Sequence, residues 1–198
     1  MIGNFFKIAW RNIWNAKGYS FLNIFGLALG IACATMIFLW VENELTYDDY
    51  FEHKSDLYVV YSKQTYQGHT YSFTATPGPL SDALKADFSE VAASSRSTWG
   101  EEKLFTVGDK KIKESGRYVD PDYLKMFSLK FIEGNPETAL KDVHNLVISQ
   151  AMAKRFFGND PAIGQRISMD NKTAFTVQGV VEDLPENVSA SFEWACTL

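Results

Sequence analysis

From Phe21 to Val41 the chain reads FLNIFGLALGIACATMIFLWV, without one charged side chain. As an α-helix rising about 1.5 Å per residue, this run is roughly 30 Å long, the thickness of a bilayer's hydrocarbon core. It is too long for a buried helix of a small soluble domain, and a helix is the only single-segment form that satisfies its own backbone in lipid. We therefore expect a transmembrane helix over residues 19–41. The competing reading is a cleaved secretory leader, with a basic start and small residues Ala32 and Ala34 around Cys33. Against it, the apolar run continues through Met36, Ile37, Phe38, Leu39 and Trp40. It exceeds a usual leader core, and the segment before it is itself patterned. A lipoprotein signal ending at Cys33 fails on the same continuation.

The flanks set a direction. Lys7, Arg11 and Lys17 precede the run, whereas Glu42, Glu44, Asp48 and Asp49 follow it, and basic flanks stay cytoplasmic. Tyr19 and Trp40 carry the amphipathic rings that favour the two interfaces. Gly26, Gly30 and Ala34 recur every fourth residue and clear a groove where another helix could approach. The plainer alternative is that small residues are common in membrane spans. Ahead of the span, Ile2, Phe5, Phe6, Ala9, Trp10 and Ile13 are spaced by three and four, with Asn4, Lys7, Arg11, Asn12 and Asn15 between them. We expect residues 1–18 to form a cytoplasmic amphipathic helix at the interface. Phe5, Phe6 and Trp10 would be its apolar contacts, with Lys7, Arg11 and Lys17 toward anionic headgroups. Such a helix serves as a flat anchor or as a docking element for a cytoplasmic partner.

With 198 residues, 46% of them hydrophobic, the chain can also build a core of ordinary size. All 24 acidic residues lie from Glu42 onward, against 16 of the 19 basic ones, a net of −8. A part this acidic argues against nucleic acid as a partner. Cys33 lies in the apolar run and Cys196 near the C-terminus, so no disulfide framework is expected. His53, His69 and His144 stand singly, without the spacing of a helical metal site. No Gly-rich phosphate loop of the Gly-x-x-x-x-Gly-Lys-Ser/Thr form occurs. The acid pairs Asp48-Asp49, Glu101-Glu102 and Glu182-Asp183 have no nucleophile and histidine placed near them in sequence, so solvated charge is favoured over an anchored enzyme. We expect no catalytic residues, no metal and no cofactor.

Beyond Thr46 the pattern changes to short mixed elements, with no Ser/Gly-rich linker and no repeat. Residues 42–198 are expected to form one domain. Leu57–Thr65 is β-branched and aromatic, as a strand would be, and 79–88 reads as a helix with Leu80, Ala83, Leu84 and Phe88 on one face. Residues 104–107 and 111–113 flank Gly108-Asp109-Lys110, a hairpin signal. Asp120-Pro121 reads as a cap and first helical position ahead of Tyr123, Leu124 and Phe127. Ser149 opens another helix through Ala151, Met152, Arg155 and Phe156, which Gly158 stops. Residues 173–181 alternate as a strand. Strands mixed with short helices give an α+β class.

The ordered blocks LYVVYS, TPGPLSDALKADFSEVAASSRS, VDPDYLKMFSLKFIEGNPETAL, LVISQAMAKRFFGNDPAIGQRI and FTVQGVVEDLPENVSASFEW resemble the periplasmic core domain of MacB/FtsX-type ABC transporter permeases. FFKIAWRNIWNAKGYSFLNIFGLALGIA resembles that family's first membrane segment. Asp120, Pro121 and Phe127 match the family's helix after its central strand, and Gly134 and Pro136 its following turn. Phe157, Gly158, Ile163 and Gly164 match its most recognisable stretch. Pro161 precedes Ala162 here, whereas the family more often sets proline directly before the Ile-Gly pair.

The resemblance implies a single transmembrane helix followed by a mixed α+β periplasmic domain at the bacterial inner membrane. It also implies a permease that couples to a separate cytoplasmic ABC-type ATPase, with a second permease copy or homologue beside it and a periplasmic or outer-membrane partner beyond. Permeases of this type continue through further membrane helices, so the chain is expected to be a piece of a longer one. The alternative class is a membrane-anchored extracytoplasmic sensor or binding domain of a signalling protein, which would need a second span leading to an output module.

Overall fold

The computed structural model describes residues 2–198, without the side chains of Ile2 and Phe5, and divides into two compact units, Met1–Tyr47 and Asp48–Leu198. The first unit is two helices, α1 (Ile2–Asn15) and α2 (Lys17–Leu45). No residue of α2 is buried against protein, and its apolar side chains point in all directions. By length and composition α2 is apolar enough to cross a membrane. α2 runs past the expected span at both ends. The backbone ladder continues through the acidic turn to Leu45, where the Thr46 N–H and hydroxyl both donate to the Glu42 carbonyl.

The second unit begins with β1 (Ser62–Tyr66) and β2 (His69–Phe73), a separate antiparallel hairpin, and α3 (Leu80–Asp87). Then come β3 (Glu101–Val107), β4 (Lys110–Val119), α4 (Tyr123–Met126), β5 (Phe131–Gly134) and β6 (Asn145–Ser149). The unit ends with α5 (Gln150–Phe157), β7 (Arg166–Met169), β8 (Thr173–Val181) and β9 (Trp194–Thr197). Seven strands form one mixed sheet in the order β5-β8-β6-β9-β4-β3-β7, and β7 also pairs with β8. Six strands therefore close into a ring, with β5 added beside the far end of β8. The long strand β8 makes this possible. Residues 173–176 pair with β7 and 179–181 with β5, while its other edge pairs with β6.

Period-2 alternation sorts the strand side chains into two cores. Leu146, Ile148, Trp194 and Cys196 join Phe105, Ile167, Val177 and the α5 residues Met152 and Phe156 in one cluster. Val147, Val181 and Ala195 face the other way and pack with Val119, Leu124, Leu140 and Phe51. β6 and β9 are thus buried on both faces, which explains their unbroken apolar runs.

Two expectations are corrected. Leu57–Thr65 does not form one strand: pairing starts at Ser62, and 57–61 has no partner despite its composition, because strand propensity without a ladder does not make a strand. The Asp120 carboxylate does not cap α4. It accepts from the Arg96 backbone N–H and guanidinium instead, and the helix starts at Tyr123 after Asp122.

Candidate functional site

Helix α2 ends at Leu45, and three residues later the chain is fixed to the second unit at Asp48. Asp48 sits at φ +62°, a left-handed conformation that aspartate tolerates better than most side chains. Its N–H donates to the Asn187 carbonyl at 2.9 Å, and its Oδ1 accepts from the Ser189 N–H at 2.6 Å and hydroxyl at 3.0 Å. Its carbonyl accepts from the Phe51 N–H at 3.1 Å. One residue thereby ties the head of this unit to the loop that leads into β9.

Phe51 drives this knot into the core. Its ring meets Phe127 edge-on at 5.0 Å, Phe127 lies 4.4 Å from Tyr123, and Tyr123 lies 6.4 Å from Phe192. Arg117 donates from Nη1 to the Tyr123 hydroxyl at 3.4 Å and from Nη2 to the Ser191 carbonyl at 3.0 Å. Burial pushes the Tyr123 phenol above its ordinary value, so it stays neutral. The Asp48 knot, the aromatic ladder and Arg117 all converge on the Asn187–Phe192 loop.

A second polar bridge pins α5 to the sheet. Ser149 caps the helix by accepting from the Met152 N–H at 3.0 Å, and its hydroxyl donates to Glu193 at 2.5 Å. Arg155 donates Nε and Nη2 to the two oxygens of Glu114, each at 2.7 Å, and Nη2 also to Glu193 at 2.6 Å. Glu114 is only 6% exposed, so the two-pronged pair answers a carboxylate that burial would otherwise penalise. At the other end of α5, the Lys110 ammonium donates to the carbonyls of Arg155 and Phe156. The helix is held at both termini by strand residues.

The family-pattern residues fall mainly at turns. Gly134 takes φ +92°, and a Cβ there would lie 2.4 Å from the Gln178 carbonyl. Half-buried Pro136 follows Asn135, whose side chain accepts from the Glu137 N–H. Gly158 ends α5, Phe157 packs half-buried on the second core, and Gly164 donates its N–H to Val177 beside exposed Ile163. Pro121 is exposed in the turn ahead of α4. None of these meets the Asp48 knot except Phe127. In the first unit, Phe6, Lys7, Trp10 and Arg11 line a shallow groove along α1 with Trp14 and Asn15, and the Lys17 ammonium lies 5.3 Å over the Trp14 ring. The Phe5 side chain lies outside the described residues. A Cβ at Gly26 or Gly30 would meet nothing within 4 Å, so the small-residue face is open in this chain.

Five of the six acids in the pairs make local contacts. Asp48 forms the knot, Asp49 pairs with Lys54, Glu101 with Lys103 at 2.8 Å and Glu102 with Lys113 at 3.7 Å. Asp183 accepts from the Ala151 N–H at 2.7 Å. Among the described residues no group of three His, Cys, Asp or Glu could hold a metal. Burial pushes the Cys196 thiol up to about 12, far from a reactive thiolate. Such contacts hold position; they do not assemble a nucleophile and base. The sequence reading named Asp48 among the acids and Arg155 on a helix, but not the contacts they make. Glu114, Glu193 and Gly116, a glycine inside β4, were not singled out.

The sequence pattern of the MacB-like periplasmic core domain matches residues 20–194, reaching from within α2 into β9. The chain belongs to that family. Among solved structures, the MacB-like chain aligns with a domain from a Porphyromonas gingivalis protein provisionally described as a permease, at a TM-score of 0.59 and 25% identity over 65% of this chain and 55% of that one. It also resembles the periplasmic region of MacB from Actinobacillus actinomycetemcomitans, with a TM-score of 0.46 and 24% identity over 52% and 49% of the two chains. The extracellular domain of YknZ, a noncanonic ABC-type transporter from Gram-positive bacteria, gives 0.41 and 14% over 51% and 52%. The chain spans about half the length of the solved domains it matches. No curated protein matches it.

Proposed function

We propose that residues 1–198 are the N-terminal part of the permease subunit of a bacterial ABC transporter complex of the MacB/FtsX type. α1 lies on the cytoplasmic face, α2 crosses the inner membrane, and the second unit stands in the periplasm. A separate cytoplasmic ATPase supplies the work, and the MacB-like domain passes it on to efflux or export, alongside a second permease copy or homologue and a periplasmic or outer-membrane partner. Phe6, Trp10, Lys7, Arg11 and Lys17 seat α1 in the interface, and Gly26, Gly30 and Ala34 receive a neighbouring helix.

The observation that carries this reading is the family match running from the apolar helix into the domain without interruption. In the chain itself, only Thr46 and Tyr47 lie between the end of α2 and Asp48, which is hydrogen-bonded within the second unit. The sequence carries no Gly-x-x-x-x-Gly-Lys-Ser/Thr phosphate loop, so in this reading ATP is bound by another chain.

The test is a cysteine at position 62 in a Cys33→Ser background, where the remaining Cys196 is buried. A membrane-impermeant maleimide should label Ser62→Cys in intact spheroplasts, and affinity purification of the protein at native level should bring down an ABC-type ATPase. Labelling only after lysis overturns the orientation. Copurification of a kinase or cyclase in place of the ATPase supports the sensor class.

A further inference from the structure

Near its start, β8 is flanked on both sides. Arg166 of β7 lies opposite Thr176, and the Thr176 N–H donates to the carbonyl of His144, the residue before β6, at 2.8 Å. Ile167 and Phe175, the next pair in the register, are buried in the core with Met152 and Trp194. Alternation therefore turns Arg166 and Thr176 to the outer surface. Between β7 and β8 the chain turns through Asp170 and Asn171, both at positive φ, and presents Lys172 beside Thr173. His144, Arg166 and Lys172 thus border one cleft, lined between them by residues 173–176.

The cleft is cationic in acidic surroundings. From Glu42 onward acids outnumber bases 24 to 16, yet no carboxylate lines it. The neighbouring acids are engaged: Asp170 accepts from the Leu104 N–H at 3.0 Å, and Asp142 accepts from the His144 N–H at 2.8 Å and lies 3.4 Å from its Nδ1. Of the four arginines in the second unit, Arg96 and Arg155 lie on carboxylates, and Arg117 donates to Tyr123 and Ser191. Arg166 and Lys172 have no ion-pair or hydrogen-bond partner among the described residues. A concave surface with fixed positive charge and no internal counter-ion concentrates anions.

The donors also select a shape. The planar Arg166 fork comes from the β7 side, the His144 ring from the β6 side and the Lys172 ammonium from the turn, with the hydroxyl-bearing Thr173 and Thr176 between them. A carboxylate offers two oxygens in one plane, which the arginine fork alone satisfies, whereas a tetrahedral oxyanion has oxygens left for the other donors. We propose that His144, Arg166, Lys172 and Thr176 form a binding site for a phosphoryl group, as free phosphate or as a phosphate monoester. This inference rests on the second unit alone and is independent of the permease reading.

The test is protection of Arg166 from phenylglyoxal in the whole chain in uncharged detergent micelles, read by peptide mass spectrometry. Inorganic phosphate should slow modification of Arg166 severalfold more than sodium chloride at equal ionic strength. Arg96, held on Asp120, is the reference and should not respond. Lys172→Ala, an exposed change, should raise the phosphate concentration for half protection severalfold with the circular dichroism spectrum unchanged. Glycerol phosphate separates the two sources: protection by both compounds shows that the site admits esters, and protection by phosphate alone restricts it to the free ion. Protection no greater than that of chloride, equal protection by succinate, or protection indifferent to Lys172→Ala overturns the proposal.

Discussion

At Gly116 the sheet has no room for a side chain. A Cβ there would lie 2.1 Å from the Trp194 carbonyl oxygen and 2.4 Å from its ring, and Trp194 is wholly buried with its indole N–H donating to the Glu114 carbonyl. Gly116→Ala should therefore push β4 away from β9 and cost about 3 kcal/mol, the upper end of ordinary overpacking. Gly100→Ala is the control, since its nearest neighbour is Ser115 Oγ at 3.9 Å. Urea unfolding of the whole chain in micelles, followed by circular dichroism, should separate the two clearly. Asp120 gives a pH signature. Burial alone would raise its pKa, but the side-chain and backbone hydrogen bonds and the charge of Arg96 outweigh it and hold the carboxyl below its ordinary 3.8. A depressed folded-state pKa stabilises fully above the ordinary value and is lost as pH falls through the folded one. Asp120→Asn should thus lower stability at pH 7 and flatten its decline below about pH 4. Equal slopes for both proteins would remove Asp120 from the acid response.

At the scale of elements, α5 shows which parts of a fold a sequence displays. Ser149, Met152, Phe156 and Gly158 were readable because a cap, an apolar face and a stop all fall within ten consecutive residues. The β3–β4 hairpin was readable for the same reason, with Gly108 at φ +57° in the turn between paired Val107 and Lys110. What ties α5 to the sheet was not: Glu114 and Arg155 are 41 residues apart and Ser149 and Glu193 are 44 apart, and no local period links them. The reverse failure occurs at 57–61, where composition indicates a strand but no strand pairs with it among the described residues. Arg155→Gln should expose how far α5 depends on its bridge. It leaves the Glu114 carboxylate buried without its charged partner, a loss of about 3 kcal/mol, the low end for a broken buried pair because Arg155 is part exposed. Adding Glu114→Gln should recover part of that loss; if the double variant is the less stable by the full sum, the two side chains are not coupled.

For the whole molecule, the proposal that Gly26, Gly30 and Ala34 receive a neighbouring helix makes a prediction about assembly. Gly30→Ile fills the groove without making α2 less lipophilic, so membrane levels should stay normal while ATP-coupled transport of the complete permease falls. Leu29→Ile, off that face, should transport normally. Full transport in both would make the glycines mere composition. A last consequence follows from the ring of six strands. Ser189, held by Asp48, lies only five positions ahead of Trp194, where β9 begins between parallel β4 and antiparallel β6. Tension drawn through that loop runs along β9, so its hydrogen bonds are loaded side by side in shear and must yield together, not one after another as in peeling. Pulled in this direction, the ring is expected to resist as one block, which force spectroscopy on the second unit would show as a single high-force unfolding event.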